Sequence, residues 1–319
     1  PGHANPRSRS TVKAVSYRAY GGPEVLEYGE LPDPKVGPDS VLVEVRAASV
    51  NPVDWKAQAG HLNSLLDVVF PVVPGWDVAG VVVRGGLDTP EFEEGDEVIG
   101  YVRKDTLSGG TFAQYVAAPV RTLAHKPASL TFEQAAGLPL AGLTAYQALA
   151  KALRVREGET LLVHAASGGV GSLAVQIGRH LGARVIGTAS PRNHDFVRSL
   201  GGEPVAYGDG LTDRVRGLAP DGVDAAFDLV GGDAVTVSAD VVKNPRRIAS
   251  IVDPAVTPLG GRYLWVRPDA TDLAALSAMV DAGGLTVPVA ATFPLERTGD
   301  AQRLSAEGHV RGKVVVTVS

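Results

Sequence analysis

Glu159 to Ala183 reads ETLLVHAASGGVGSLAVQIGRHLGA, and the succession of strand, glycine turn and helix within it decides the fold. Thr160, Leu161, Leu162 and Val163 make a mostly apolar run suited to a parallel strand buried on both faces. Val170, Ala174, Ile177 and Leu181 then recur at helical spacing, so the period changes at Ser167, Gly168 and Gly169. Glycines there let the backbone turn sharply, while free N–H groups and the positive end of the helix dipole favour an anion. Ser167, Gly168, Gly169, Val170 and Gly171 are therefore expected to hold a dinucleotide pyrophosphate. The fingerprint G-x-G-x-x-G is met as Ala166, Gly168 and Gly171, one glycine short. A serine hydrolase elbow has the same strand, turn and helix, and Ser167, Asp228 and His309 even stand in hydrolase chain order. Against that reading, the elbow's first glycine is alanine here, and a long β-rich region precedes the motif.

Outward from this unit, strand-like runs at 184–188, 223–228, 247–251 and 263–266 alternate with helical stretches. That alternation predicts an α/β fold with a doubly wound parallel sheet over 129–267. Earlier, short β runs at 12–17, 41–47, 78–83 and 97–102 are separated by Pro/Gly turns such as Pro32 to Pro38, which suits an antiparallel, barrel-like domain. β character returns at 287–293 and 313–318, as strands that rejoin the first domain. The expected organisation is thus 12–128 with 268–319 as one domain and 129–267 inserted in it. Residues 1–11, opening PGHANPRSRS, lack the apolar core of a signal peptide and read as a tag remnant or disordered leader.

Composition narrows the function classes. With 319 residues, 45% apolar and 20% charged, the chain has an ordinary globular balance and enough length for two domains. A net charge of -5, with no dense Lys/Arg run, argues against nucleic-acid binding. Cysteine is absent, which excludes disulfides and thiolate metal sites and is compatible with a reducing, cytoplasmic setting. Pro, Gly and Asp interrupt the valine runs well short of the roughly 20 apolar residues of a membrane helix.

The cofactor can be read at the end of the second strand of the inserted domain. An NAD site places Asp or Glu about 20 residues past the glycine turn to accept the ribose 2′-OH. Here the chain runs Thr188, Ala189, Ser190, Pro191, Arg192, and the first carboxylate is Asp195. Ser190 and Arg192 can donate to a 2′-phosphate, which favours NADPH. The plainer reading has Ser190 capping the helix that opens at Pro191 and Arg192 solvated. Gly231 follows the apolar strand ending AAFDLV, where a strand's carboxyl end meets the ligand crevice.

Several segments together carry a resemblance: AYGGPEVLEYGELPDP, ASVNPVDWKAQAG, PGWDVAGVV, EEGDEVIG, GGTFAQYV, AAGLPLAGLTAYQAL, HAASGGVG, GVDAAFDLVGG and GKVVV. In this order and spacing the chain resembles the zinc-independent quinone oxidoreductases of the medium-chain dehydrogenase/reductase superfamily, over almost its whole length after Thr11. The resemblance implies a GroES-like catalytic domain, a Rossmann cofactor domain, NADPH as reductant and a cleft between the domains. Zinc-dependent relatives carry a metal-binding Cys where this chain has Asn51 and a His where it has Trp76, so no metal is expected. His61, His125 and His164 then read as surface or packing histidines.

Without a metal, hydride must go to an already activated acceptor, a quinone or an α,β-unsaturated carbonyl. The family match implies Asn51 at the nicotinamide and the substrate oxygen; otherwise it is a turn residue before Pro52. Lys56 is a second donor or a solvated lysine on a short helix. His61 competes with water as proton donor. The resemblance also places Thr144 near the nicotinamide and Tyr207 near the adenosine phosphate, against plainer roles in an amphipathic helix and at a strand edge. Lys313 approaches the cleft by the same analogy, with a solvated strand-end lysine as the default. Trp55, Trp76, Leu62, Leu65, Leu66 and Trp265 can line an apolar cleft or fill the core. By the same family analogy, the strand-like 262–266 suggests a homodimer by edge pairing. A non-catalytic NADPH-binding sensor remains the alternative from a different class.

Overall fold

The computed structural model describes residues 11–319. The expected leader lies outside the described residues except for Thr11, which opens the strand Thr11–Ser16 and pairs with Pro32.

Two main sheets organise the chain. The run Thr160–Val163 is the central strand of a six-stranded parallel sheet, its last three residues fully buried. Across this sheet lie Glu203–Val205, Arg184–Thr188, Thr160–Val163, Ala225–Asp228, Ile248–Ser250 and Arg262–Tyr263. In chain order that is 3-2-1-4-5-6, the dinucleotide-binding arrangement whose crevice opens outside the carboxyl ends of the strands where the order reverses. The strand expected at 263–266 is only Arg262–Tyr263, and Glu203–Val205 is an additional strand. Pro204 inside a three-residue strand gives almost no pattern to read, yet the strand pairs in parallel with Arg184–Thr188.

The second sheet has seven strands, six of them in the order Val289–Pro294, Lys313–Thr317, Ser40–Val50, Asp77–Gly85, Glu97–Tyr101 and Leu123–His125, with Tyr115–Pro119 also on Ser40–Val50. Its pairs are antiparallel except Val289–Pro294 with Lys313–Thr317. This GroES-like sheet and the six-stranded Rossmann sheet share one apolar cluster, which runs from Tyr17, Ala47 and Trp76 to Leu161, Val163 and Phe227.

Between the sheets lies the helix Pro139–Tyr146. Pro139 to Ala145 are all buried, so this is an apolar helix covered on every side rather than the amphipathic one expected around Thr144. Register sets the rest of the site. Val314 pairs with Val50, which brings Lys313 beside Asn51 across 262 positions of sequence. Ala79 pairs with Ala47, which brings Asp77, at the head of its strand, to the same end of the sheet.

Candidate active site

Asn51 is the N-cap of the helix Pro52–Gln58, with extended backbone: its N–H donates to Asp54 Oδ2 at 2.7 Å and its carbonyl accepts the Asp54 N–H at 2.9 Å, which leaves its side chain free to bond elsewhere. Its side chain is buried and occupied on both ends. Asn51 Oδ1 accepts from Lys313 Nζ, and Asn51 Nδ2 donates to Asp77 Oδ2 at 2.9 Å. An ammonium only donates and a carboxylate only accepts, so the two neighbours fix the orientation of the amide. One amide N–H is left without a partner among the described residues.

Asp77 also accepts from Ser49 Oγ at 2.6 Å and from the Leu140 N–H at 2.8 Å. The last bond puts the carboxylate at the start of the helix Pro139–Tyr146, where the dipole favours negative charge. Lys313 Nζ donates further to the Val50 carbonyl at 3.2 Å. Asn51, Asp54, Asp77 and Lys313 are each no more than 5% exposed.

Burial acts on all three ionisable groups. It pushes the Asp54 carboxyl up to about 8, against the hydrogen bond from Asn51 and the charge of Lys313, so Asp54 carries a proton at pH 7. It also raises Asp77, opposed by Lys313, Ser49, Asn51 and Leu140. Lys313 is lowered by burial, a shift opposed chiefly by Asp77.

The aliphatic part of Lys313 joins this cluster to the glycine turn. A Cβ on Gly169 would stand 2.9 Å from Lys313 Cδ, and the Gly312 N–H donates to the Ser167 carbonyl at 3.2 Å. The helix Gly169–His180 starts with no side-chain cap and no acidic residue in its first turn. Its first amides are therefore available to an anion, as a pyrophosphate requires. Gly171 has no room for a side chain, since a Cβ there would lie 2.0 Å from the Ala165 carbonyl oxygen. The missing glycine has a physical counterpart one residue earlier than the fingerprint placed it: Ala165 has φ 55°, held by bonds to Thr188 from its own N–H and from that of Ala166.

The other expected residues divide. Ser190 precedes the helical turn Pro191–Asn193 and its hydroxyl makes no cap bond, so the capping half of the plainer reading is not met, whereas the exposure of Arg192 beside it agrees with the other half, a solvated arginine. Gly231 has φ 83° and donates to Asp228, just past the carboxyl end of the strand Ala225–Asp228. Thr144 Oγ donates back to the Leu140 carbonyl at 2.6 Å, one residue pair away from Asp77. Lys313 is a correction: the default of a solvated lysine is wrong, because its strand enters the sheet between two others and the side chain turns into the core.

Lys56, His61 and Tyr207 do not join the cluster. Lys56 is exposed, its ammonium 5.6 Å from the Trp55 ring centroid, and the His61 side chain is exposed without a hydrogen bond. Tyr207 is 62% exposed past the end of its strand. Trp76 and Leu62 are core residues, whereas Leu65 and Trp265 are exposed. His164 is a packing histidine, buried against Ser238 and lowered to about 4 by desolvation.

The hydrolase alternative fails on geometry. Ser167 Oγ accepts from Asn193 Nδ2, Asp228 is taken by Ser250 and by the loop amides of Val230 and Gly231, and His309 is exposed. No hydrogen bond joins any two of the three. Sequence reasoning missed Asp54, whose spacing from Asn51 is a capping signal, and Arg311 with Asn193, for which no local pattern exists.

With this geometry in hand, the comparisons are consistent. Residues 37–128 match the alcohol dehydrogenase GroES-like domain and residues 200–316 the zinc-binding dehydrogenase domain. The chain is 36% identical over 314 residues to the chloroplastic NADPH-dependent alkenal/one oxidoreductase of Arabidopsis thaliana, covering 96% of this chain and 79% of that one. This chain belongs to the quinone oxidoreductase and alkenal reductase family of medium-chain oxidoreductases. Among solved structures, the quinone oxidoreductase of Coxiella burnetii has a TM-score of 0.85 at 34% identity, over 97% of this chain and 100% of that one. A mycobacterial protein complexed with NADPH has a TM-score of 0.81 at 27% identity, over 96% and 99%.

The zinc in the name of the second domain does not fit the residues present. The Asn51 oxygen already accepts from an ammonium, and among the described residues no group of three or more His, Asp or Glu is placed to hold a metal ion. No helix among them is long and apolar enough to cross a membrane. The cysteine-free composition behind a cytoplasmic expectation fits an organelle equally, as the chloroplastic relative illustrates.

Proposed function

We propose that this family member reduces a quinone or an α,β-unsaturated carbonyl by hydride transfer, with NADPH as reductant and without a metal. The observation that carries the proposal is the buried Asn51–Lys313–Asp77 cluster, whose lysine stem packs on the uncapped glycine turn. When bound, NADPH supplies a hydride from C4 of its nicotinamide. Gly169 to Gly171 offer their amides to the pyrophosphate, and Ser190 with Arg192 offer donors to the 2′-phosphate.

Lys313 puts a positive charge on Asn51, polarising the amide so that its free N–H is the better donor to an acceptor oxygen gaining charge. Asp77 holds the amide against the opposite pull of Lys313, so no reorganisation is needed as charge develops. A proton from water, or through the exposed His61, completes the product. The Arg262–Tyr263 edge carries exposed Tyr263 and is followed by exposed Trp265, which favours a homodimer paired through that strand.

The test is an absorbance assay of the purified protein against quinones, alkenals and cyclic enones, with NADPH and NADH in parallel. Oxidation of NADPH by one of these acceptor classes is the expected result. Cofactor binding without turnover across the panel would favour a sensor, and a strong preference for NADH would refute the assignment of Ser190 and Arg192.

A further inference from the structure

The segment entering the strand Lys313–Thr317 touches the cofactor crevice at three consecutive residues. Lys313 reaches Asn51 and Gly312 donates to the Ser167 carbonyl. Arg311, the residue before them, turns towards the loop after the second Rossmann strand. Its Nε donates to Asn193 Oδ1 at 2.6 Å, its Nη2 donates to the Arg192 carbonyl at 2.7 Å, and its guanidinium lies 6.0 Å from the Phe196 ring centroid. Asn193 in turn donates to Ser167 Oγ at 3.2 Å, which ties the latch to the glycine turn.

What Arg311 lacks is an anion. A guanidinium has five N–H donors, and here two are bonded, both to neutral oxygens. Among the described residues no carboxylate pairs with Arg311 or with Arg192, whereas Arg184 and Arg247 in the same domain each hold a glutamate. The loop that Ser190 opens thus carries Arg192 and receives Arg311 on its carbonyl, both without a carboxylate partner.

We infer that Arg311 closes the 2′-phosphate site from the side of the catalytic domain, so that Ser190, Arg192 and Arg311 recognise a phosphate monoester together. This rests on the NADPH reading above. The 2′-phosphate is favoured over the pyrophosphate by position: Arg311 is bonded to the carbonyl of Arg192, two residues past Ser190, where the ribose 2′-oxygen comes in this fold. The pyrophosphate is served by the amides of the glycine turn. A planar guanidinium already held by two bonds loses little freedom on taking a dianionic phosphate bidentately.

The test uses the full chain and titrates NADPH, NADH, adenosine 2′,5′-bisphosphate and adenosine 5′-diphosphate by fluorescence or calorimetry. Arg311→Ala is expected to weaken NADPH and the 2′,5′-bisphosphate by roughly tenfold to a hundredfold, the range of a charged hydrogen bond, and NADH and the 5′-diphosphate by less than about threefold. Arg311→Lys, which keeps the charge and loses the fork, is expected to fall between, and it serves if the alanine variant does not fold. Equal weakening of phosphorylated and unphosphorylated ligands would overturn the inference, since Arg311 would then act as a latch or on the pyrophosphate. Unchanged affinities would overturn it as well. Wild-type protein that binds NADPH and NADH equally would instead defeat the NADPH reading and remove the inference with it.

Discussion

Replacing Asp54 with Asn is expected to make the protein more stable at neutral pH by an amount that grows with pH. Asp54 is fully buried, accepts the Asn51 N–H and has its carboxyl pushed up to about 8 by desolvation. In the unfolded chain it is an ordinary aspartate that releases its proton near pH 4. Between about pH 4 and 8 the folded state therefore binds one more proton than the unfolded state, and stability falls as pH rises, by about 1.4 kcal/mol per unit. Over pH 5 to 7 that amounts to about 3 kcal/mol. Asparagine keeps an acceptor oxygen for the Asn51 N–H and does not titrate, so its stability lacks this slope. Because Asp54 is largely neutral over pH 5 to 7, the substitution leaves the charges around Asp77 and Lys313 much as they were, and their own titration cancels in the comparison. Urea unfolding at pH 5, 6 and 7 measures the difference, followed by tryptophan fluorescence, since Trp76 lines the same small cavity as Asp54. Parallel wild-type and variant curves across this range would mean that Asp54 is ionised in the folded protein, and the account of the buried cluster would be wrong.

Asn51→Ala removes the amide between a buried ammonium and a buried carboxylate; turnover should fall about a hundredfold in single-turnover absorbance traces while the NADPH dissociation constant moves only a few-fold. Gly171→Ala forces a Cβ to within 2.0 Å of the Ala165 carbonyl oxygen, so the purified variant should bind no NADPH in fluorescence titration. Gly169→Ala meets only the flexible Lys313 stem at 2.9 Å and should still fold, as judged by circular dichroism, with its loss concentrated in turnover. Ser190→Asp places a carboxylate where the ribose 2′-oxygen comes, and the ratio of NADPH to NADH affinity should drop at least about tenfold; an unchanged ratio would locate the discrimination elsewhere.

The glycine turn and five of the six parallel strands were legible because the signals are local. A buried strand, a turn that needs glycine and a helix with a periodic apolar face occupy 25 consecutive residues, Glu159 to Ala183. The same locality explains the errors. Glu203–Val205 is too short to show a period, and the positive φ falls on Ala165, a residue whose side chain gives no warning of it. Thr144 looked amphipathic because a single polar residue in an apolar helix imitates a face, although its hydroxyl is spent on Leu140.

Lys313 shows where a linear reading stops. In GKVVV it is a lysine at the head of an apolar strand, and such a residue is ordinarily solvated. Two facts reverse that: the strand Lys313–Thr317 lies between Val289–Pro294 and Ser40–Val50, and the register sets Val314 opposite Val50. Both are tertiary and neither leaves a trace within ten residues of Lys313. Once the register is fixed, however, the chemistry follows with little freedom. A lysine brought next to Asn51 in a dry interior must find acceptors, and the Asn51 oxygen and the Val50 carbonyl are those it has. The amide must then turn its nitrogen to Asp77, which leaves one N–H unbonded, the one the proposed mechanism uses. The orientation of the Asn51 amide is thus specified by a residue 262 positions away. Arg311 and Gly312 lie on the same stretch of backbone, so the contacts of Gly312 with Ser167 and of Arg311 with Asn193 also help set the position of the lysine bonded to Asn51.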